Sequence, residues 1–259
     1  AIWRVNLAES QETPVSRSVN SELWPSISPD GERVAFQSAR NLSRGNNLFN
    51  SSILVKSLKA RDDRPTPLAE HGFLTAWSPN GSSIAFMRRV DDSVELMTVN
   101  PNGGGEQRLT SGGIPAIGYS VSPYNHIQSN AFAWSPDGSK IAYVSSRNGA
   151  ANIWTVSVSD NSDTPVTENL GTDISYYCPI WSSDGKRLAF FTQRKSVNEN
   201  SRTIRGLSIV DLASKKVTEV FAAETIFRLI GWTAEENGLI IAESEVQSGL
   251  PPETALKKV

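Results

Sequence analysis

A β-propeller of four-stranded antiparallel blades, an all-β fold, is predicted for this 259-residue chain by three observations. A short phrase recurs as Val34-Ala35-Phe36, Ile84-Ala85-Phe86, Ile141-Ala142-Tyr143, Leu188-Ala189-Phe190 and Ile241-Ala242. Each copy begins three residues after a glycine (Gly31, Gly81, Gly138, Gly185, Gly238), and the glycines are spaced by 50, 57, 47 and 53 residues. A tryptophan stands four residues before the glycine at Trp77, Trp134 and Trp181. Ile27 takes that place in the first copy, and two extra residues move Trp232 to six before Gly238 in the fifth. Short strands repeated at such a period read as a propeller or a related array.

The third copy justifies the strands one by one. Phe132-Ala133-Trp134 is the innermost strand, A. Ser135-Pro136-Asp137-Gly138 then makes a tight turn, in which proline presets φ, aspartate bonds its own backbone and glycine accepts φ > 0. Ile141-Ala142-Tyr143-Val144 is strand B, Asn152-Ile153-Trp154-Thr155-Val156 strand C and Pro165-Val166-Thr167 strand D. Four apolar runs separated by turn residues form one antiparallel meander. A small alanine followed by an aromatic suits face-to-face sheets: one residue permits close approach and the other fills the gap. A fixed place in every repeat makes the tryptophans packing residues in preference to a stacking platform for bases or sugars.

The turns Ser28-Pro29-Asp30-Gly31, Ser78-Pro79-Asn80-Gly81, Ser135-Pro136-Asp137-Gly138 and Ser182-Ser183-Asp184-Gly185, with the endings Ser38-Ala39-Arg40 and Ser145-Ser146-Arg147, resemble the TolB-like β-propeller repeat, a bacterial relative of the WD repeat. The resemblance covers essentially the whole chain. The fifth turn, Thr233-Ala234-Glu235-Glu236-Asn237-Gly238, departs from the pattern, which puts its geometry in question. Residues 1–259 are expected to form a single TolB-like propeller, with a half blade at 1–16 and repeats starting near 22, 73, 130, 177 and 227. Ile2-Trp3-Arg4-Val5 matches Ile153-Trp154-Thr155-Val156, so the chain is expected to open inside a strand C and to be a fragment of a longer protein. The resemblance implies a six-bladed parent ring; a five-bladed ring closed by the N-terminal strand, and larger rings, stay open.

Composition bounds the function. A net charge of −2 argues against a generic nucleic-acid binder, and no apolar run approaches the roughly 20 residues of a membrane helix. Cys178 is the single cysteine and reads as a buried, inert thiol. With His71 and His126 the only histidines, a zinc site lacks ligands, and no Gly-x-Ser-x-Gly elbow occurs. Gly103-Gly104-Gly105 reads as a turn, since no helix follows it. Propeller glycosidases set carboxylates on inner strands, but Trp24–Ile27, Leu74–Trp77, Ala131–Trp134, Cys178–Trp181 and Arg228–Gly231 carry none. Neither catalysis nor a cofactor is expected.

Loop lengths divide the two faces. The long insertions fall between strands B and C (Ala39–Asn50, Gln193–Arg205) or D and A (Ser111–Asn130, Asn169–Tyr177), two loop classes that emerge on one face of a four-stranded blade. They carry the candidate partner-binding residues Tyr119, Tyr124, His126, Tyr176, Tyr177, Arg44, Arg202 and Arg205. Tyrosine and arginine among serine, asparagine and glycine make an adaptable recognition surface. Arg40, Arg147 and Arg194, placed after strand B in the repeat, read instead as structural and as bridges between blades. The expected function is a non-catalytic module that binds a protein, a peptide or another ligand, and an acidic segment fits the locally basic face best. The resemblance allows periplasmic binding of a lipoprotein and other envelope partners. It equally allows a sensory half of a larger bacterial protein, or a gating propeller of a prolyl-oligopeptidase-like serine peptidase whose catalytic domain lies elsewhere; compartment stays open.

Overall fold

The computed structural model describes residues 2–16, 18–40, 50–59, 64–91, 93–112, 114, 131–168, 171, 173–195, 203–223, 226–235, 237–245 and 253–258. Their strands form six antiparallel sheets. Sheet 1 pairs β1 (Trp3–Asn6) with β2 (Gln11–Pro14). Sheet 2 runs β3 (Ser21–Ile27), β4 (Arg33–Ala39), β5 (Ser51–Ser57), β6 (Thr66–Glu70), and sheet 3 runs β7 (Gly72–Trp77), β8 (Ile84–Val90), β9 (Ser93–Val99), β10 (Gln107–Arg108). Sheet 4 runs β11 (Phe132–Trp134), β12 (Lys140–Ser145), β13 (Asn152–Ser157), β14 (Asp163–Pro165). Sheet 5 runs β15 (Ile174–Trp181), β16 (Arg187–Lys195), β17 (Thr203–Asp211), β18 (Val217–Ala223), and sheet 6 has β19 (Ile226–Trp232), β20 (Leu239–Glu245), β21 (Glu253–Lys258). The sheets group into two compact units, β1–β10 and β11–β21. No helix among the described residues is long and apolar enough to cross a membrane.

The alternation predicted for strand B is what joins neighbouring sheets. Ala35 of sheet 2 shares a cluster with Phe86 of sheet 3, together with Ile53, Trp77 and Met97. Ala142 of sheet 4 meets Phe190 of sheet 5 in the same way. The alanine faces one neighbour and the aromatic the other, because successive side chains of a strand point to opposite faces. The tryptophans add a polar lock. The Trp181 indole N–H donates to the Ala133 carbonyl at 3.0 Å, and that of Trp232 to the Ile180 carbonyl at 3.4 Å. Arg33 lies over Trp77 at 4.8 Å and Arg187 over Trp232 at 4.6 Å, each joining its sheet to the next.

The serine–aspartate turns close as the sequence predicts. In the first, the Ser28 hydroxyl donates to Asp30 Oδ1 at 2.5 Å and accepts the Arg33 N–H, while Gly31 adopts φ 72°. Asn80 does the same work for Ser78 and Ser82 in sheet 3, so the turn requires an oxygen acceptor, not a charge. The degenerate fifth turn keeps its closure through the Thr233 N–H on the Gly238 carbonyl, with the Thr233 hydroxyl on Asn237.

The inner strands hold a feature absent from the sequence reading. Their pairing with strand B breaks between Leu23 and Ser26, Phe73 and Ala76, and Tyr177 and Ile180. The first residue skipped, Trp24, Leu74 or Cys178, takes a left-handed φ of 48°, 54° or 55°. Bulges twist a strand and leave peptide groups without ladder partners, and here the neighbouring sheet supplies partners. The Thr75 hydroxyl donates to the Trp24 carbonyl at 2.8 Å, and Gln37 accepts the Leu74 N–H. Prolines at 25 and 179 fit positions where no N–H is required.

Candidate binding surface

Of the eight candidate binding residues, Arg44, Tyr119, Tyr124, His126 and Arg202 lie outside the described residues. The other three stand on strands, which corrects their assignment to loops. Strands β16 and β17 are nine residues each, and β15 lengthens to stay paired, matching Ile174 with Arg194 and Tyr176 with Thr192. Tyr176 and Tyr177 are half-buried packing residues. The Tyr176 ring stands edge-on to Phe190, with centroids 5.0 Å apart, and its backbone N–H reaches the Ala151 carbonyl. Burial raises the Tyr176 phenol above its ordinary range. Tyr177 packs against the cluster of Cys178, Ala189 and Phe191. Arg205 sits on β17 opposite Gln193 and Ala223.

Several charged groups described on these sheets are bound into the scaffold. Arg147 reaches Asp163 on β14 of its own sheet at 2.5 Å and lies over Trp154 at 4.3 Å. Arg194 reaches Glu219 on β18 at 2.5 Å. Both therefore clamp strand B to strand D within one blade, where the sequence suggested bridges between blades. Arg88 is a bridge: it forks onto Glu106 and donates to the Glu70 carbonyl of sheet 2 at 2.8 Å. A groove of about 470 Å³ beside it is lined by β6, His71, Arg89 and Glu106. His71 is exposed and left-handed, φ 57°, in the tight link from β6 to β7.

The acids divide into two kinds. Asp30, Asp137 and Asp184 have carboxyls held below the ordinary range by the turn serine hydroxyl and then by backbone N–H groups. Ser157 and Ser162 lower Asp160 further, to about 2. Glu95 is fully buried on β9 and neutralised by Arg108 at 3.0 Å, with Thr110 and Ser93 hydroxyls and the Gly112 N–H as further donors. Glu22 is the correction to the acid-free inner strands, because β3 starts earlier than its Trp24–Ile27 segment. It is buried at 5% exposure; the Ser16 hydroxyl donates to Oε2, Oε1 has no partner, and burial pushes its carboxyl upward. Cys178 is 4% exposed and its thiol is pushed up to about 12 by burial, which makes it a poor nucleophile. Among the described residues no three His, Cys, Asp or Glu side chains gather to hold a metal.

The TolB beta propeller domain model matches residues 10–220 of this chain. The Tol-Pal system protein TolB of Anaeromyxobacter dehalogenans is 31% identical over 116 residues, 45% of this chain and 23% of that protein. The chain thus spans about a quarter of that relative's length. Solved structures with the same fold include TolB from Acinetobacter baumannii, with TM-score 0.57 and 16% identity, covering 93% of this chain and 56% of that one. An oligogalacturonate lyase from Vibrio parahaemolyticus aligns with TM-score 0.65 and 12% identity, over 98% of this chain and 70% of that one. The β-propeller domain of the Trilobed protease from Pyrococcus furiosus aligns with TM-score 0.58 and 14% identity, over 93% and 69%.

Proposed function

The chain belongs to the TolB beta propeller domain family, and from that premise we propose that it is a non-catalytic module that holds a protein or peptide partner on the face of its long loops. The observation that carries the reading is how the described chemistry-bearing side chains are used. Turn aspartates cap serines, Arg147 and Arg194 clamp strands, and the one thiol is buried. The long connections after β4, β10 and β16 carry Arg44, Tyr119, Tyr124, His126 and Arg202, and tyrosine and arginine are residue types that dominate interface hot spots. Strands β16 and β17 outrun the others toward one of these connections, which brings Arg194 and Arg205 to its base. An acidic segment is the complementary partner for such a surface.

A partner recovered from the native organism tests this reading. Alanine at Tyr124 and Arg202 together is expected to weaken binding at least tenfold, about 1.4 kcal/mol. Alanine at Asp30 and Glu32, in the first serine–aspartate turn, is expected to leave it unchanged. A partner that responds to the second set and ignores the first overturns the reading. The second reading, a gating propeller of a serine peptidase, draws on the likeness to the Trilobed protease domain. It predicts that the parent polypeptide carries a serine hydrolase domain beside this propeller, which the sequence flanking residues 1–259 tests.

A further inference from the structure

We propose that the groove between the serine–aspartate turns of sheets 4 and 5 is a receptor for an arginine side chain of a basic partner, whose guanidinium lies against the Trp181 indole between Asp137 and Asp184. The groove holds about 280 Å³ and is lined by Asp137, Lys140, Trp181 and Asp184, with turn serines around them. It lies on the short-turn side of the sheets and rests on no part of the long-loop reading above.

The molecule itself shows which chemistry such a groove takes. At two other junctions the residue two positions after the turn glycine is an arginine, and its guanidinium lies over the tryptophan of the next sheet. Arg33 stands 4.8 Å from the Trp77 ring, and Arg187 stands 4.6 Å from the Trp232 ring. At the junction of sheets 4 and 5 the corresponding residue is Lys140, which is exposed. A guanidinium stacks on an aromatic face and offers a planar fork of donors, whereas an ammonium is a compact, strongly hydrated charge. Lysine is thus the poorer occupant, and the space beside Trp181 is left as a groove.

The charges suit the same guest. The Asp137 and Asp184 carboxyls are both held below the ordinary range, by Ser135 and Ser182 first, so both are anionic at neutral pH. Lys140 stands with the two acids on the lining, and Lys186 and Arg187 act on Asp184 from beside it. Carboxylates beside an aromatic face recognise a guanidinium through charge-assisted hydrogen bonds and a cation–π contact together.

The site can be altered without undoing its turns. Asn80 already closes the equivalent turn in sheet 3, with its oxygen accepting from Ser78 and Ser82. The double change Asp137→Asn and Asp184→Asn therefore removes charge and keeps the caps. Lys140→Arg places in the groove the residue that fills it at the other two junctions. The probe is the peptide acetyl-Gly-Arg-Gly-amide, followed by NMR at the Trp181 indole N–H, with the citrulline peptide as its neutral isostere. The expected result is a saturable shift with the arginine peptide and none with citrulline. Affinity should fall at least tenfold in the asparagine pair and in Lys140→Arg. Three results overturn the proposal: no saturable shift, equal response to citrulline, or binding to Lys140→Arg as tight as to the parent.

Discussion

Gly72 and Gly231 show how differently one residue type is constrained. A Cβ on Gly72 would lie 2.6 Å from Ile53 Cγ1 and 2.8 Å from Phe86 Cδ2, both fully buried, whereas one on Gly231 would meet nothing within 4 Å. Gly72→Ala is expected to cost about 1–3 kcal/mol, the usual penalty of overpacking, and Gly231→Ala to be neutral or slightly stabilising through the unfolded chain; urea midpoints measure both. The two kinds of acid predict opposite pH slopes. For Asp30, Asp137, Asp160 and Asp184 the folded state binds fewer protons than the unfolded one at acid pH, so stability rises with pH. Their contribution is complete above the unfolded value of about 4 and disappears as pH falls toward about 2, the value for Asp160. Glu22 has a raised value, so the folded state binds more protons than the unfolded one, and stability falls as pH rises above about 4.5. Glu22→Gln should raise the melting temperature at pH 7 relative to its effect at pH 4. A change equal at both pH values would show that Glu22 is not charged at a cost.

The element that decides cohesion between sheets is strand A with its tryptophan. Trp181 is 9% exposed, packs against Ala142 and Val144 of the preceding sheet and donates to the Ala133 carbonyl. Trp181→Ala is expected to cost about 3–5 kcal/mol, the range for truncating a large buried aromatic. Ile27 occupies the same place in sheet 2 at 62% exposure, and Ile27→Ala should cost less than about 1 kcal/mol. Equal losses in denaturant midpoint would mean that repeat position does not report packing. The bulges of strands β3, β7 and β15 belong to this scale too. No residue pattern announced them, because the left-handed position is filled by Trp24, Leu74 and Cys178, residue types that give no turn signal. At β3 and β7 the cause is tertiary: the Trp24 carbonyl and the Leu74 N–H freed by the bulges are taken up by Thr75 and Gln37 of the adjoining sheet.

For the molecule as a whole, the blades were legible because one phrase repeats, and each copy carries its own turn chemistry, from Ser28–Asp30 to Ser182–Asp184. The binding surface was far less legible. Sequence spacing placed Tyr176 and Arg205 in loops, while strand pairing across sheet 5 claimed both; pairing energy between long strands depends on partners that spacing does not show. Arg147 and Arg194 were recognised as structural, but the acids they hold lie on strand D of the same sheet and not on a neighbour. The groove beside Trp181 had no signature beyond Lys140 standing where other copies have Arg33 and Arg187. The central claim, a partner held on the long-loop face, is tested most directly by backbone hydrogen exchange of this chain with and without its captured partner. The account predicts new protection in segments 41–49, 115–130 and 196–202, with the turns at 28–33 and 78–83 unchanged. Protection of those turns with none in the three long segments would contradict it.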